Sequence, residues 1–439
     1  MDYPRVLIIS NNCLSKSDSN GRTLGNFVSL WPRDSIAQFC IHDKDKDWSV
    51  CSNFYAISDM QAVKAFLLGK KIDGRKTFSA EETVKKNSTG GQRTVSRTPA
   101  SMLLRNAAWA SLRWKNEIFN TWINDFKPEV VILQAGDLPA FYDIAVHIAM
   151  ERKIPLVIYN SEEYYFKDYC YFGEDASFKW LYPMFRNELK KSVRNALNYA
   201  AGSIYISDYL KELYDNEFGK CSITLMTSAT ENVGSDASTN ETGATQATII
   251  YGGNLGIGRH KALIDIGNAL QKIDPALKID VYGKCDDPEI AQELNSCSGI
   301  NYAGMIPYSD LQEKTKRARL LIHVESTRPY YVRDIKYGFS TKIADSLASG
   351  VPFFVYAPSE LTSVQYLTEN ACAIIATDEK QLVEKLKCAL FDEKARNMCV
   401  TNARQIAAVN HNQEKNKKGF YDFVVGSLTN KSENDRNKV

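Results

Sequence analysis

Among the ten cysteines no two stand at the C-x-x-C spacing that zinc and thiol-redox sites favour. No apolar stretch approaches the roughly 18 residues of a membrane span. The run Val6 to Ile9 is too short for the core of a secretory signal. Histidines number five, and none sits in a loop suited to acid–base work. Net charge is only +2, which gives no global pull toward nucleic acid or membrane. The dinucleotide fingerprint G-x-G-x-x-G is missing, which argues against an oxidoreductase. These absences lead to the expectation of a cytoplasmic protein with reduced thiols, no metal, no cofactor and no nucleic-acid partner.

What is present suits two domains. The chain has 439 residues, against roughly 100–200 per ordinary domain. Hydrophobic residues at 44% and charged residues at 24% are enough for two buried cores. Short, continuously apolar runs such as RVLIIS (5–10), SIAQFCI (35–41), PEVVILQ (128–134) and IPLVIYN (154–160) read as strands buried on both faces. GDLPAFYDIAVHIAMERK (136–153) between them reads as a helix with His147 packed in the core. Residues 229–247 are rich in Ser, Thr, Gly and Asn without apolar period, the composition of a linker. The alternation then restarts. The expected division is therefore an N-terminal Rossmann-like domain over 1–228, a linker over 229–247 and a C-terminal Rossmann-like domain over 248–410. A helix over 411–430 and a tail over 431–439 complete it. The fold class is α/β, two facing Rossmann-like domains with an interdomain cleft, where ligands of open parallel sheets bind beyond the strands' carboxyl ends.

Two segments carry chemistry. YGGNLGIGR (251–259) runs from a strand through four glycines into a helix. Glycine lets a phosphate approach the backbone closely, the helix start offers free N–H groups, and Arg259 adds a cation. ESTRPYYVRDIKYGFSTKIADSLASGVPFFVY (325–356) opens on Glu325 at the end of the strand LLIHVE, which holds His323 as a core residue. It turns at YGFS into a helix with Ser340 as N-cap, Thr341 and Lys342 at its start and Asp345 one turn in. A cation, a carboxylate and free N–H groups at one helix start suit a diphosphate and a ribose diol. The alternative is a surface helix with an ordinary charge pair.

These segments resemble family 4 glycosyltransferases of the GT-B fold, especially members that assemble bacterial surface polysaccharides. The family's donor motif has two glutamates with seven residues between them; Tyr337 and Asp345 stand at that spacing here. The turn Gly253-Asn254 to Arg259 is similar to the family's phosphate turn, with Asn254 and Arg259 in place of its Arg and Lys. GMIPYSDL (304–311), containing Ile306, is similar to the stretch whose backbone meets the nucleobase. PEVVILQAGD and IPLVIYNSEEYY resemble its N-terminal domain. The resemblance implies a hexosyltransferase-type enzyme that takes a nucleoside-diphosphate sugar as substrate, retains anomeric configuration and needs no metal. Its acceptor is a glycan or lipid-linked glycan. It also implies donor binding by Gly253, Asn254, Arg259, Ile306, Tyr337, Ser340, Thr341, Lys342 and Asp345. With tyrosine at 337, Glu325, Glu162 and Glu163 become the candidate catalytic carboxylates. Gly21 and Arg22, in the loop NNCLSKSDSNGRT (11–23), are the candidates for acceptor binding.

DKDKD (43–47) offers an Asp-x-Asp pattern, but it alternates with lysines and reads as a solvated loop. Residues 64–115 hold twelve Lys or Arg against three Asp or Glu, with Trp109, Trp114 and Trp122 in or just after them. Cations beside aromatics suit an anionic membrane interface and a peripheral location at the membrane's inner face. The rival reading is a solvated loop with core tryptophans. Two rival functions also stand: a sugar-nucleotide epimerase of the same fold, and a non-catalytic glycan-binding protein.

Overall fold

The computed structural model describes residues 3–16, 18–69, 75–77, 97–230, 248–285 and 287–436. Most of the expected linker (231–247), much of the basic stretch (70–74 and 78–96) and 437–439 lie outside the described residues. The chain divides into two compact units. Unit 1 is Met1–Met226 with Glu414–Val439, and unit 2 is Thr227–Gln413.

Among the described residues unit 1 is built on eight strands: β1 (Val6–Asn12), β2 (Ile36–His42), β3 (Asn53–Ala56), β4 (Arg75–Thr77), β5 (Val130–Gln134), β6 (Leu156–Asn160), β7 (Gly202–Tyr205) and β8 (Ser222–Thr224). Their order is β4-β3-β2-β1-β5-β6-β7-β8. Every pairing is parallel except β3 with β4. The strand order reverses between β1 and β5, where Val6 pairs with Ile36 on one side and Val130 on the other. Val6 through Ile9 are fully buried, as helices on both faces of a parallel sheet require.

The described residues of unit 2 form six strands: β9 (Ile249–Gly252), β10 (Ile279–Tyr282), β11 (Ile300–Gly304), β12 (Leu320–Val324), β13 (Phe353–Tyr356) and β14 (Ile374–Ala376). All are parallel, in the order β11-β10-β9-β12-β13-β14. The reversal here falls between β9 and β12. Each unit is thus a doubly wound, Rossmann-like sheet.

Several expectations fail in physical detail. Gly21 and Arg22 lie in helix Ser19–Val28, not in a loop; the Asp18 side chain caps that helix by accepting from Gly21 N at 2.9 Å. A Cβ on Gly21 would run into the Cys13 carbonyl, so close packing explains this glycine. His147 is not a core residue: its side chain is 59% exposed and pairs with Glu151 one turn on. In the DKDKD run Lys46 is buried and pairs with Asp43 at 3.0 Å, so this loop is only partly solvated. The final helix runs Gln413–Arg436, past the expected 430. It packs on unit 1, with Phe420 stacked on Phe27 at 5.4 Å.

The three tryptophans belong to the core. Trp109, Trp114 and Trp122 are at most 2% exposed and surround Phe39 and Phe119. Their indole N–H groups donate to Asp59, the Trp109 carbonyl and Asn53 respectively. The aromatic half of the membrane pattern is therefore interior packing. Among the described residues no helix is long and apolar enough to cross a membrane.

In unit 2 the buried His411 holds the start of the unit to its end. Its Nδ1 lies 2.7 Å from the Thr227 carbonyl and its Nε2 lies 3.0 Å from the Tyr366 hydroxyl. Burial lowers its pKa to about 4.

Two outcomes follow from this packing. Trp114→Ala should cost about 3–5 kcal/mol, read from the urea midpoint; a change within about 0.5 kcal/mol, as for an exposed residue, would contradict the core assignment. His411 has a folded pKa below its unfolded one, so the unfolded chain takes up the proton first. Its contribution is present above about pH 6.5 and is lost as pH falls toward 4. That loss should approach about 3 kcal/mol and be missing from His411→Gln, measured by urea unfolding across that range.

Candidate functional site

The carboxyl end of β9 leads into the glycine turn. Gly253 N donates to the Tyr282 carbonyl at 2.8 Å, which keeps the turn tied to β10. The Asn254 side chain accepts from Gly256 N at 2.7 Å, and the Tyr251 hydroxyl donates to the Asn254 carbonyl at 2.7 Å. Gly258 then sits in the left-handed region at φ +78° as N-cap of helix Arg259–Ile273. A Cβ there would lie 2.5 Å from the Ser326 hydroxyl, so the turn presses on the residues that follow β12.

The two strand ends are locked by charge. Arg259 donates from Nε to Glu325 Oε2 at 2.8 Å and from Nη2 to Oε1 at 3.1 Å. Both side chains are largely buried, at 16% and 7% exposure. The His323 ring stands 3.4 Å from the same carboxylate, without hydrogen-bond alignment. Burial pushes the Glu325 carboxyl up, but His323 and Arg259 outweigh it and hold the group below its ordinary value. Glu325 uses its carboxylate on Arg259, whose five N–H donors are not exhausted by two bonds.

Helix Thr341–Ala348 brings the second segment to the same edge. A Cβ on Gly253 would lie 3.3 Å from Lys342 Cε, so the lysine stem runs along the glycine turn. Ser340 is the N-cap residue, but its side chain makes no cap hydrogen bond. Asp345 accepts from Thr230 N at 2.8 Å and from the Tyr308 hydroxyl at 3.0 Å. Thr230 Oγ1 and Tyr308 Oη are themselves 3.0 Å apart. Tyr308 follows Ile306 and Pro307, so the 304–311 stretch meets Asp345 directly. Ile306 and Thr341 are half-buried. Half-buried Tyr337 lies between helices Pro329–Ile335 and Thr341–Ala348, its ring 5.3 Å from the Lys336 ammonium.

Sequence reasoning did not single out Thr230, Tyr308 or Ser326. Tyr308 lies inside the quoted GMIPYSDL stretch and was recoverable from it. Thr230 belongs to a Ser- and Thr-rich segment, where one threonine carries no distinguishing signal. Among the described residues no group of three or more His, Cys, Asp or Glu is placed to hold a metal ion.

In unit 1 the candidate carboxylates part company. Glu162 is exposed and accepts from the Tyr164 hydroxyl at 2.7 Å. Glu163 is 5% exposed; it accepts from Phe166 N and, at 3.4 Å, from the Tyr214 hydroxyl. Burial pushes its carboxyl up against the pull of the Phe166 N–H, Lys167 and Arg186. It braces the loop after β6. At the β1/β5 reversal, Arg105 donates to Asp59 at 2.8 Å and lies 3.7 Å from Asp137, which Arg97 also contacts.

The whole chain is similar in fold to solved GT-B glycosyltransferases. Sucrose-phosphate synthase from Thermosynechococcus elongatus aligns over 97% of this chain and 99% of its own, with TM-score 0.62 and 11% identity. Anabaena HepE in complex with UDP aligns over 96% and 100%, with TM-score 0.62 and 10% identity. WaaG, a glycosyltransferase involved in lipopolysaccharide biosynthesis, aligns over 96% and 100%, with TM-score 0.56 and 14% identity. No protein-family model and no curated protein sequence matches the chain. At these identities the likeness establishes the architecture: two Rossmann-like domains of the GT-B type.

Glu325→Gln keeps the side chain's volume but leaves a largely buried Arg259 without its counter-charge. It should destabilise unit 2 by about 3 kcal/mol. The Glu325 carboxyl is depressed in the folded state, so wild type should lose this contribution as pH falls below the ordinary glutamate range. Glu325→Gln should lack that acid-sensitive component. Equal stability of the two proteins at pH 7 would show that the pair contributes no net energy.

Proposed function

We propose that this protein is a glycosyltransferase that moves a hexosyl group from a nucleoside-diphosphate sugar to a glycan or lipid-linked glycan, in surface-polysaccharide synthesis. Unit 2 takes the donor. The observation that carries this reading is the convergence, beyond the carboxyl ends of β9 and β12, of the glycine turn, the Lys342 stem and the Asp345 carboxylate. A diphosphate needs backbone N–H groups and cations at close range, which the turn, Lys342 and the remaining donors of Arg259 supply. A ribose diol needs a carboxylate that accepts twice. Asp345 has about four acceptor sites, so two hydroxyls can join or replace Thr230 and Tyr308. HepE, similar in fold, has been solved with UDP and with UDP-glucose.

In the transfer, the bond from the anomeric carbon to the diphosphate breaks and one to an acceptor hydroxyl oxygen forms. Arg259 and Lys342 stabilise the charge that builds on the leaving diphosphate, so no metal is required. Glu325 positions Arg259. Of the three carboxylates, Glu162 is the one exposed enough to meet an acceptor. Retention of configuration goes with the family resemblance. We place its work in the cytoplasm; with the tryptophans in the core, only the cations of the 64–115 stretch still suit contact with the membrane's inner face where the acceptor is lipid-linked.

Calorimetry with UDP and other nucleoside diphosphates in the presence of EDTA tests the donor site. Binding should persist in chelator. Asp345→Asn keeps shape and one acceptor; it should weaken nucleotide binding about tenfold, or ~1.4 kcal/mol, with the melting temperature nearly unchanged. Lost stability with unchanged affinity would reject the ribose role. Incubation with nucleotide sugars then separates the enzymes: free nucleoside diphosphate marks a transferase, and a new sugar nucleotide marks an epimerase.

A further inference from the structure

Arg186, on helix Tyr182–Tyr199 of unit 1, is 6% exposed. Its Nη2 donates to the Tyr165 carbonyl, and its Nε and Nη1 have no hydrogen-bond partner among the described residues. No carboxylate of the described residues forms an ion pair with it. Beside it the hydroxyls of Tyr171 and Tyr182 are also buried and without partners. The two rings meet edge to face at 5.9 Å. Burial and the Tyr182 hydroxyl push the Tyr171 phenol well above its ordinary value, while the Arg97 and Arg186 guanidiniums pull against that shift. Lys167 Nζ lies 4.9 Å from the Tyr171 ring centre.

Buried polar groups in folded proteins are nearly always hydrogen-bonded, and a buried charge without a counter-charge is costly. Here one guanidinium and two hydroxyls share the fault at one place. The unpartnered atoms are themselves buried, but the cluster borders the surface. Tyr171 is half-buried, and the neighbouring Arg97, stacked over Phe172 at 5.4 Å, is 57% exposed. The Nε and Nη1 hydrogens leave a guanidinium along different edges, so one acceptor oxygen does not satisfy both. Arg97 and Arg105 occupy Asp137, and Glu163 is turned to the Phe166 N–H. The Glu163 carboxylate feels the Arg186 charge but is taken by the Phe166 N–H, so among the described residues the cluster lacks acceptor oxygens within hydrogen-bond reach of Nε and Nη1.

We propose that unit 1 binds an oxyanion, a carboxylate or phosphate carried by the acceptor, with Arg186 as its counter-charge and Tyr171 and Tyr182 as hydroxyl donors. The acceptor would then be an acidic glycan or a phosphate-bearing one. Calling this ligand an acceptor rests on the glycosyltransferase reading; the anion site itself does not.

The test uses the full chain with glucuronate and with inorganic phosphate as probes, and UDP as a control, by calorimetry and thermal shift. One of the two anions should bind wild type, and which one tells carboxylate from phosphate. Tyr171→Phe and Tyr182→Phe should each weaken that anion about tenfold, as expected for a hydrogen bond to a charged group. Both should leave UDP affinity unchanged and melt no lower than wild type, because each removes a hydroxyl without a partner. Arg186→Gln should abolish anion binding. Failure of both anions to bind a wild-type chain that binds UDP would overturn the proposal, as would unchanged anion affinity in both phenylalanine variants. Anion binding lost in these variants, in a chain that ignores every nucleotide, would support the site while removing the donor reading.

Discussion

The Arg259–Glu325 pair is the constraint on which the unit 2 site depends. Arg259 opens the helix after β9 and Glu325 is the first residue beyond β12. Those neighbouring strands are where the sheet's order reverses. Taking a carboxylate and a guanidinium out of water costs several kcal/mol per ion. Two parallel hydrogen bonds recover much of that cost and fix orientation as well as distance. With both ends held, the turn between Gly253 and Gly258 has little freedom. Gly258 must be left-handed and pressed on Ser326. Lys342 then finds the turn, not open solvent, along its stem.

Much of this was legible in the sequence because parallel sheets leave a simple trace. Strands buried on both faces are short unbroken apolar runs, and VLII in β1 or VVIL in β5 admits few other readings. Clustered glycines before a helix mark backbone that must approach something closely. Asp345 stands out near a helix start ahead of SLASGVP, and counting back from it gives Tyr337. Contacts across long sequence separation were not legible: Thr230 reaches Asp345 over 115 positions. Composition made residue 230 look like linker, and composition says nothing about what a backbone N–H will meet.

Other misreadings come from judging neighbours along the chain instead of around the helix. His147 sits between apolar residues, yet Ile144, Ile148 and Ala149 share a buried face that it does not. Trp109 and Trp114 sit among arginines that local sequence cannot separate from them, and folding sends the rings inward. Gly21 looked like a turn and is a packing requirement inside a helix. The final helix shows the same limit on a larger scale: Phe420, Tyr421 and Val424 mark an apolar stripe, but nothing local says it belongs with the N-terminal strands.

The two units deal with buried charge at strand ends in opposite ways. In unit 2 the carboxylate and guanidinium hold one another, and the remaining Arg259 donors and the surrounding groups are left for a ligand. In unit 1 Arg97, Arg105, Asp59 and Asp137 form a comparable mesh, yet Arg186 stands outside it. Its one bond, to the Tyr165 carbonyl, needs only a neutral donor, and at Glu163 its charge adds to the pull of the Phe166 N–H and Lys167. Well-packed apolar groups in its place would be as stable or more so. Keeping a guanidinium and two hydroxyls without partners in the interior makes sense physically if the missing oxygens arrive with the substrate, whose binding then gains from the desolvation that folding has already completed.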